Sequence, residues 1–249
     1  VETKFDQVNQ IFFREGTLDH SIFEHVCIKD EYGLKKEHFS SEDIALDIGG
    51  HIGCFALAAL MRGIGYVRLY EASPQNVVLC HKNLEEFRDR VSIENLAVWS
   101  EANLTLLIDE FPNWGTAVNT GGGDLFGTKG VAVRTIGFDQ IIRELTQDFS
   151  KRLRILKIDS EGSEWPILLT SQTLRHIDII VGELHEFGGQ YDELSTINIA
   201  VPGYSRYTRR EFARFMDSQN FDIAMDNQHK SRYILFKAIN RKYSANDTA

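Results

Sequence analysis

The chain has no basic surplus. Lys and Arg number 27 against 36 Asp and Glu in 249 residues, a net charge of −9. That balance removes the broad positive footprint needed to hold nucleic acid or an anionic membrane surface. Long apolar runs are missing too. None reaches the length of a membrane span, and no signal-peptide pattern is seen, so no membrane partner is expected. Cysteine is scarce: Cys27, Cys54 and Cys80 form an odd set without metal-ligand spacing. Free thiols in a reducing, cytoplasmic compartment fit that usage. Internal repeats, low-complexity tracts and linkers are also absent. What is present is an ordinary globular composition, 43% hydrophobic and 25% charged. The length suits one α/β domain with a full core.

One further absence is informative. The G-x-G-x-x-G fingerprint of a pyrophosphate-binding turn does not occur. In its place stands Asp47-Ile-Gly49-Gly50-His51-Ile-Gly53. Ile44, Leu46 and Ile48 supply a short buried strand before it. Ile52, Phe55, Ala56, Ala59 and Leu60 supply the apolar face of a helix after it. Gly49, Gly50 and Gly53 allow a sharp turn and a close ligand, and His51 sits among them. Backbone N–H groups at such a helix start can meet an anionic group such as a carboxylate. Asp47 would repel a pyrophosphate but suits a cation, such as the ammonium of S-adenosylmethionine. Glu71, at the end of the strand Val67–Glu71, lies where an acid about 20 residues after the first glycine binds ribose hydroxyls. Asp47 with Glu71 therefore favours a methyl donor over NAD. A plain strand–turn–helix with a capping Asp is the bland alternative.

The rest alternates strands and helices. Residues 1–43 read as a helical N-terminal cap, with Val8, Ile11 and Phe12, then Ile22, Phe23 and Val26, at helical spacing. Core cover is its bland role; closing over a ligand, with Arg14, Asp19 and Tyr32, is the sharper one. Residues 44–249 read as the main domain. Pro74 sits near the first turn of a helix. Strands are expected at Val91–Glu94, Leu96–Trp99, Leu104–Ile108, Val131–Thr135, Arg152–Asp159 and Ile177–Gly182. Thr208 with Glu211 reads as a capping box. Two closing strands, Phe221–Met225 and Tyr233–Ala238, have too short a connection to be parallel. The expected fold is α/β: a Rossmann-like, seven-stranded, mostly parallel sheet covered on both faces and ended by an antiparallel hairpin, the class I methyltransferase layout. Residues 109–130, with Trp114, and 186–207, with Tyr191 and Tyr204, read as irregular stretches facing an acceptor or packing down on the core.

In such a sheet, ligands bind beyond the carboxyl ends of the strands. Those ends carry Asp47, Glu71, Asn95 to Ala97, Asp159, Glu161, Glu183 and His185. By its ordinary titration range His185 is the favoured general base, with Asp159, Glu161 and Glu183 beside it. Surface or capping roles are the bland alternatives for His185 and Asp159. The same acids with His185 also compose an oxygen-rich Mg²⁺ site as a second reading.

Four stretches now stand together: Asp47-Ile-Gly49-Gly50-His51-Ile-Gly53, Tyr70-Glu71-Ala-Ser-Pro74, Asn95-Leu-Ala97-Val, and Lys157-Ile-Asp159-Ser-Glu161-Gly162-Ser-Glu164. With Glu183 they resemble the FkbM family of S-adenosylmethionine-dependent methyltransferases over roughly residues 44–185. The lysine-led run is the most specific. Arg14-Glu-Gly-Thr17-Leu-Asp19 resembles an upstream motif of some members. Two departures are mild: Gly50-His51 stands where the family has Ala-Asn, and Tyr70 where it has Phe. The resemblance implies O-methylation of a hydroxyl on a small molecule, such as a sugar or secondary metabolite of natural product biosynthesis. It implies cofactor contacts at Asp47, Gly49, Gly50, His51, Gly53, Glu71, Asn95, Ala97 and Asp159. The oligomeric state is left open. An NAD-dependent oxidoreductase and a non-catalytic binding module are the competing readings.

Overall fold

The computed structural model describes residues 2–108, 131–148, 150–186, 201–204, 206–226 and 233–244. Trp114 and Tyr191, with most of both irregular stretches, lie outside the described residues. The chain opens with β1 (Thr3–Asp6) and β2 (Ile11–Arg14), an antiparallel hairpin. Here the expected first helix is replaced. Asp6 accepts from the backbone N–H groups of Val8 and Asn9 and closes a turn instead, and Gln10 adopts a left-handed φ of 54°. The helical spacing of Val8, Ile11 and Phe12 is thus overridden by turn chemistry. The second expected helix is present: α1 (Asp19–Phe23) runs into a wider π-type turn, Glu24–Ile28.

The main unit then follows as β3 (Ile44–Ile48), α2 (Cys54–Met61), β4 (Tyr66–Tyr70), α3 (Pro74–Asn83) and β5 (Val91–Glu94). Three short strands, β6 (Ala97–Trp99), β7 (Thr105–Ile108) and β8 (Val131–Gly137), make a separate small sheet in the order β6-β8-β7. After them come α4 (Phe138–Leu145), β9 (Leu153–Ile158), α5 (Glu164–Thr170), β10 (Ile177–His185), α6 (Arg209–Ser218), β11 (Phe221–Met225), β12 (Tyr233–Asn240) and α7 (Arg241–Ser244).

The central sheet has seven strands in the order β11-β12-β10-β9-β3-β4-β5. β3, β4, β5, β9 and β10 are parallel, and β12 is antiparallel to both its neighbours. This is the expected layout, mostly parallel with an antiparallel end. The chain travels outward from β3 to β5, then returns to lay β9 on the other side of β3. The order therefore reverses between β3 and β9, and in an open parallel sheet a ligand crevice forms at that reversal.

Two apolar clusters sandwich the sheet. One gathers Leu46, Ile48, Leu156, Ile158, Trp165 and Phe212; the other gathers Ala45, Ile155, Ile179 and Val181 with α2, α3 and the N-terminal segment. Side chains alternate between faces along a strand. The second face therefore also receives Asp47 on β3, Lys157 on β9 and Glu183 on β10, polar residues on the face that the N-terminal segment covers. Among the described residues the capping box at α6 does not form: Thr208 makes no side-chain cap bond. Glu186 takes that place, accepting from the Arg209 N–H at 2.7 Å and from its guanidinium.

Candidate active site

The glycine turn is fixed from both sides. The N–H groups of Gly49 and Gly50 donate to Tyr70 O at 3.0 and 3.1 Å, and Asp159 N–H donates to Ile48 O at 3.1 Å. Gly49 has φ 74°, and a Cβ there would stand 1.8 Å from the Asp159 carbonyl oxygen. Only glycine satisfies both the left-handed backbone and that approach. His51 also takes a left-handed φ, 51°, which points its N–H toward Glu71.

Glu71 is buried, and each of its oxygens is engaged. Oε2 accepts from the His51 N–H at 2.7 Å. Oε1 accepts from the Ser73 N–H at 2.7 Å and from Asn76 Nδ2 at 3.2 Å. Burial raises its pKa above the usual carboxylate value, with the Ser73 N–H opposing. Asn95 bridges the same turn, donating to the carbonyls of Glu71 and Ala72, both at 2.9 Å. Its amide nitrogen thus supports the Glu71 turn. Ala97 is buried at the start of β6.

Asp47 is fully buried, and among the described residues neither carboxylate oxygen has a hydrogen-bond partner. Its charge is met by Lys157, its cross-strand partner, with Nζ 3.4 Å from Oδ1. The same ammonium donates to Gly49 O at 2.5 Å and lies 3.9 Å from Asp159 Oδ2. Burial pushes the Asp47 carboxyl up while Lys157 opposes. Burial would lower the Lys157 pKa, but Asp47 and then Asp159 outweigh it and hold the ammonium charged. In the sequence, Lys157 stands only as the head of the lysine-led run, with no task of its own. The available signal was a lysine enclosed by Leu156 and Ile158 at the carboxyl end of a buried strand.

Beyond β9 the chain folds back on itself. Glu164 is buried and accepts from the N–H groups of Ser160 at 2.6 Å and Gly162 at 2.8 Å. The Asp159–Gly162 loop is thus capped by Glu164, and Asp159 stays beside Lys157. Glu161 in that loop has φ 53°, uncommon for a residue with a side chain. Its Oε2 lies 3.3 Å from His185 Nε2, and Glu164 Oε1 lies 3.4 Å from His185 Nδ1. The imidazole is held between two carboxylates. Burial alone would lower its pKa; Glu164 and then Glu161 outweigh that and hold it well above its ordinary value. A protonated imidazole takes no proton, so the geometry does not favour His185 as a lone base. Burial pushes Glu161 up to about 7, with His185 opposing. Glu183 is pushed up to about 9, by burial and then by Asp159. Tyr32, buried in the N-terminal segment, donates to Asp159 Oδ2 at 3.5 Å.

The structure therefore brings together Asp47, Gly49, Asp159, Glu161, Glu183 and His185 at the carboxyl ends of β3, β9 and β10. His51, Glu71 and Asn95 sit beyond the adjoining ends of β3, β4 and β5. As a cofactor site, the donor set suits a nucleoside bearing a cation. The second lone pairs of Glu71 suit hydroxyls, and the acids suit positive charge. The fit to Mg²⁺ is poor. Asp159, Glu164 and His185 can bring one ligand atom each within 4.8 Å of one another. But Glu164 is committed to the loop and His185 to its two carboxylates. Tyr204 packs against the core.

The family model for the methyltransferase FkbM domain matches residues 47–222. Among solved structures, an FkbM methyltransferase from Methylobacillus flagellatus has TM-score 0.50 and 13% identity, over 87% of this chain and 47% of that one. SMU.1697c from Streptococcus mutans, described as a methyltransferase and solved with SAH, has TM-score 0.48 and 12% identity over 86% and 97%. An rRNA methylase from Streptococcus thermophilus has TM-score 0.47 and 9% identity over 86% and 96%. No curated protein matches.

Proposed function

The chain belongs to the FkbM methyltransferase family, and on that premise we propose an S-adenosylmethionine-dependent O-methyltransferase acting on a small-molecule hydroxyl, such as that of a sugar or secondary metabolite. The observation that carries the reading is the Glu161–His185 pair, standing one loop from the glycine turn. S-adenosylmethionine, when bound, supplies an electrophilic methyl group on a sulfonium. This chain's own part is to hold the donor, orient the acceptor and receive a proton. Gly49, Gly50 and His51 form the backbone wall, and Glu71 receives ribose hydroxyls. Asp47 and Asp159 present negative charge to the cationic end, with Lys157 limiting their mutual repulsion.

An acceptor hydroxyl must lose its proton as its oxygen takes the methyl. A base with a pKa near the working pH does this best. Glu161, at about 7, meets that condition, and His185 holds it in place as a protonated partner. The two titrate together, so the apparent pKa belongs to the pair. The committed donor set gives no reason to route a step through a metal, and turnover is expected to survive EDTA. A cytoplasmic setting is supported by the three free cysteines. Calorimetry of the purified protein with S-adenosylmethionine and its demethylated product tests the first step, and labelled methyl transfer to hydroxylated acceptors tests the second. Absence of binding to cofactor-free protein would sink the reading.

A further inference from the structure

The N-terminal segment carries a buried ion pair that the proposed chemistry does not use. Arg14, at the end of β2, and Asp19, at the start of α1, are 6% and 0% exposed. They pair through two bonds: Arg14 Nε to Asp19 Oδ2 and Arg14 Nη2 to Asp19 Oδ1, both 2.8 Å. The Arg14 backbone N–H donates to Oδ2 as well. Burying two charges costs several kcal/mol per ion before the pairing offsets it, so placement rather than stability is the better account of such a pair.

The pair points at the cofactor side of the site along two routes. Asp19 Oδ1 lies 3.3 Å from His51 Nε2, inside the glycine turn. Arg14 Nη2 donates to Asn76 Oδ1 at 2.8 Å, and Asn76 Nδ2 donates onward to Glu71 Oε1 at 3.2 Å. The His51 N–H meets the other oxygen of Glu71. The two routes leave the ion pair separately and close on one carboxylate. Each Glu71 oxygen therefore has one donor that Arg14 or Asp19 holds, Asn76 on Oε1 beside the Ser73 N–H and His51 on Oε2. Because Arg14 and Asp19 are enclosed, neither is placed to meet an acceptor.

We propose that Arg14 and Asp19 are positioning residues of the cofactor site, setting the His51 turn and the Glu71 carboxylate for a nucleoside ligand. The proposal rests on the reading of this site as one for S-adenosylmethionine. Asp19→Asn keeps the shape and removes the charge; Arg14→Lys keeps the charge and removes the fork. Each variant, checked by circular dichroism, is titrated with SAH and with adenosine alone. Both ligands should bind at least tenfold more weakly, because the network ends on the ribose acid. The double variant Asp19→Asn/His51→Ala should lose less than the sum of its single variants.

A merely structural pair would lower the melting temperature and leave both affinities within twofold, which overturns the proposal. Hydrogen exchange on the unmodified chain gives the same test without substitution. Amides of residues 11–23 should slow when SAH binds, and unchanged exchange there overturns the proposal. Failure of the unmodified chain to bind SAH would instead reject the cofactor reading itself. The two failures are thus distinguishable.

Discussion

At the scale of the residue, the carboxylates at the sheet edge decide how the protein responds to pH. Glu183 is raised from 4.5 to about 9. Between those values the folded chain keeps a proton that the unfolded chain releases, so stability falls as pH rises through that window. Glu183→Gln removes the penalty. It should raise the melting temperature by roughly 10 °C at pH 8 and leave it unchanged at pH 4, by scanning calorimetry. Glu161 makes a kinetic counterpart. The rate should climb with pH through an apparent value of about 7. Glu161→Gln should flatten that limb and cut turnover by about 10²–10⁴-fold while SAH affinity holds. A variant with native turnover would remove Glu161 from the chemistry. These acids were legible as strand-end residues. Their division of labour was not, because it depends on what stands on either side of the His185 ring. Residue type made His185 the natural base; only the positions of Glu161 and Glu164 turn it into a held cation.

At the scale of the element, β3 and β9 form the working unit. Their register sets Asp47 opposite Lys157, two charges within the sheet. Breaking such a buried pair from one side costs about 3–5 kcal/mol. Lys157→Met should lose that much stability in urea titration. Adding Asp47→Asn should restore most of it, since the stranded carboxylate is then gone. If the double variant is no better than the single, Lys157 serves mainly the Gly49 carbonyl. The strands were readable because buried parallel strands gather apolar residues between turn residues, as Ile44, Leu46 and Ile48 do, and Leu153, Ile155, Leu156 and Ile158. The hairpin at Thr3–Arg14 was misread as helix because Val8, Ile11 and Phe12 fit that period by chance; Val8 in fact lies in the exposed turn. Glu186 capping α6 was unreadable for a different reason. The cap comes from 23 residues away, and a local signature at Thr208 and Glu211 offered a closer answer.

At the scale of the whole molecule, the site joins segments from all along the chain: the hairpin, the glycine turn, the Glu71 turn, the loop after β9 and the end of β10. A ligand that bridges them binds only the assembled form. SAH at 100 times its dissociation constant should add about 2.7 kcal/mol, or about 7 °C in melting temperature, by thermal shift. Lys157 Nζ and Gly49 O, which meet at 2.5 Å, are 108 residues apart in the chain. That separation has a kinetic consequence. During synthesis the glycine turn emerges long before the lysine that secures it, and Asp47 has no counter-ion until β9 inserts beside β3. Nascent chains that end before β9 should therefore be blind to the cofactor. Closing so long a loop also places this pairing among the slower steps of folding, and the arrival of β9 is the moment at which the polypeptide gains its ligand.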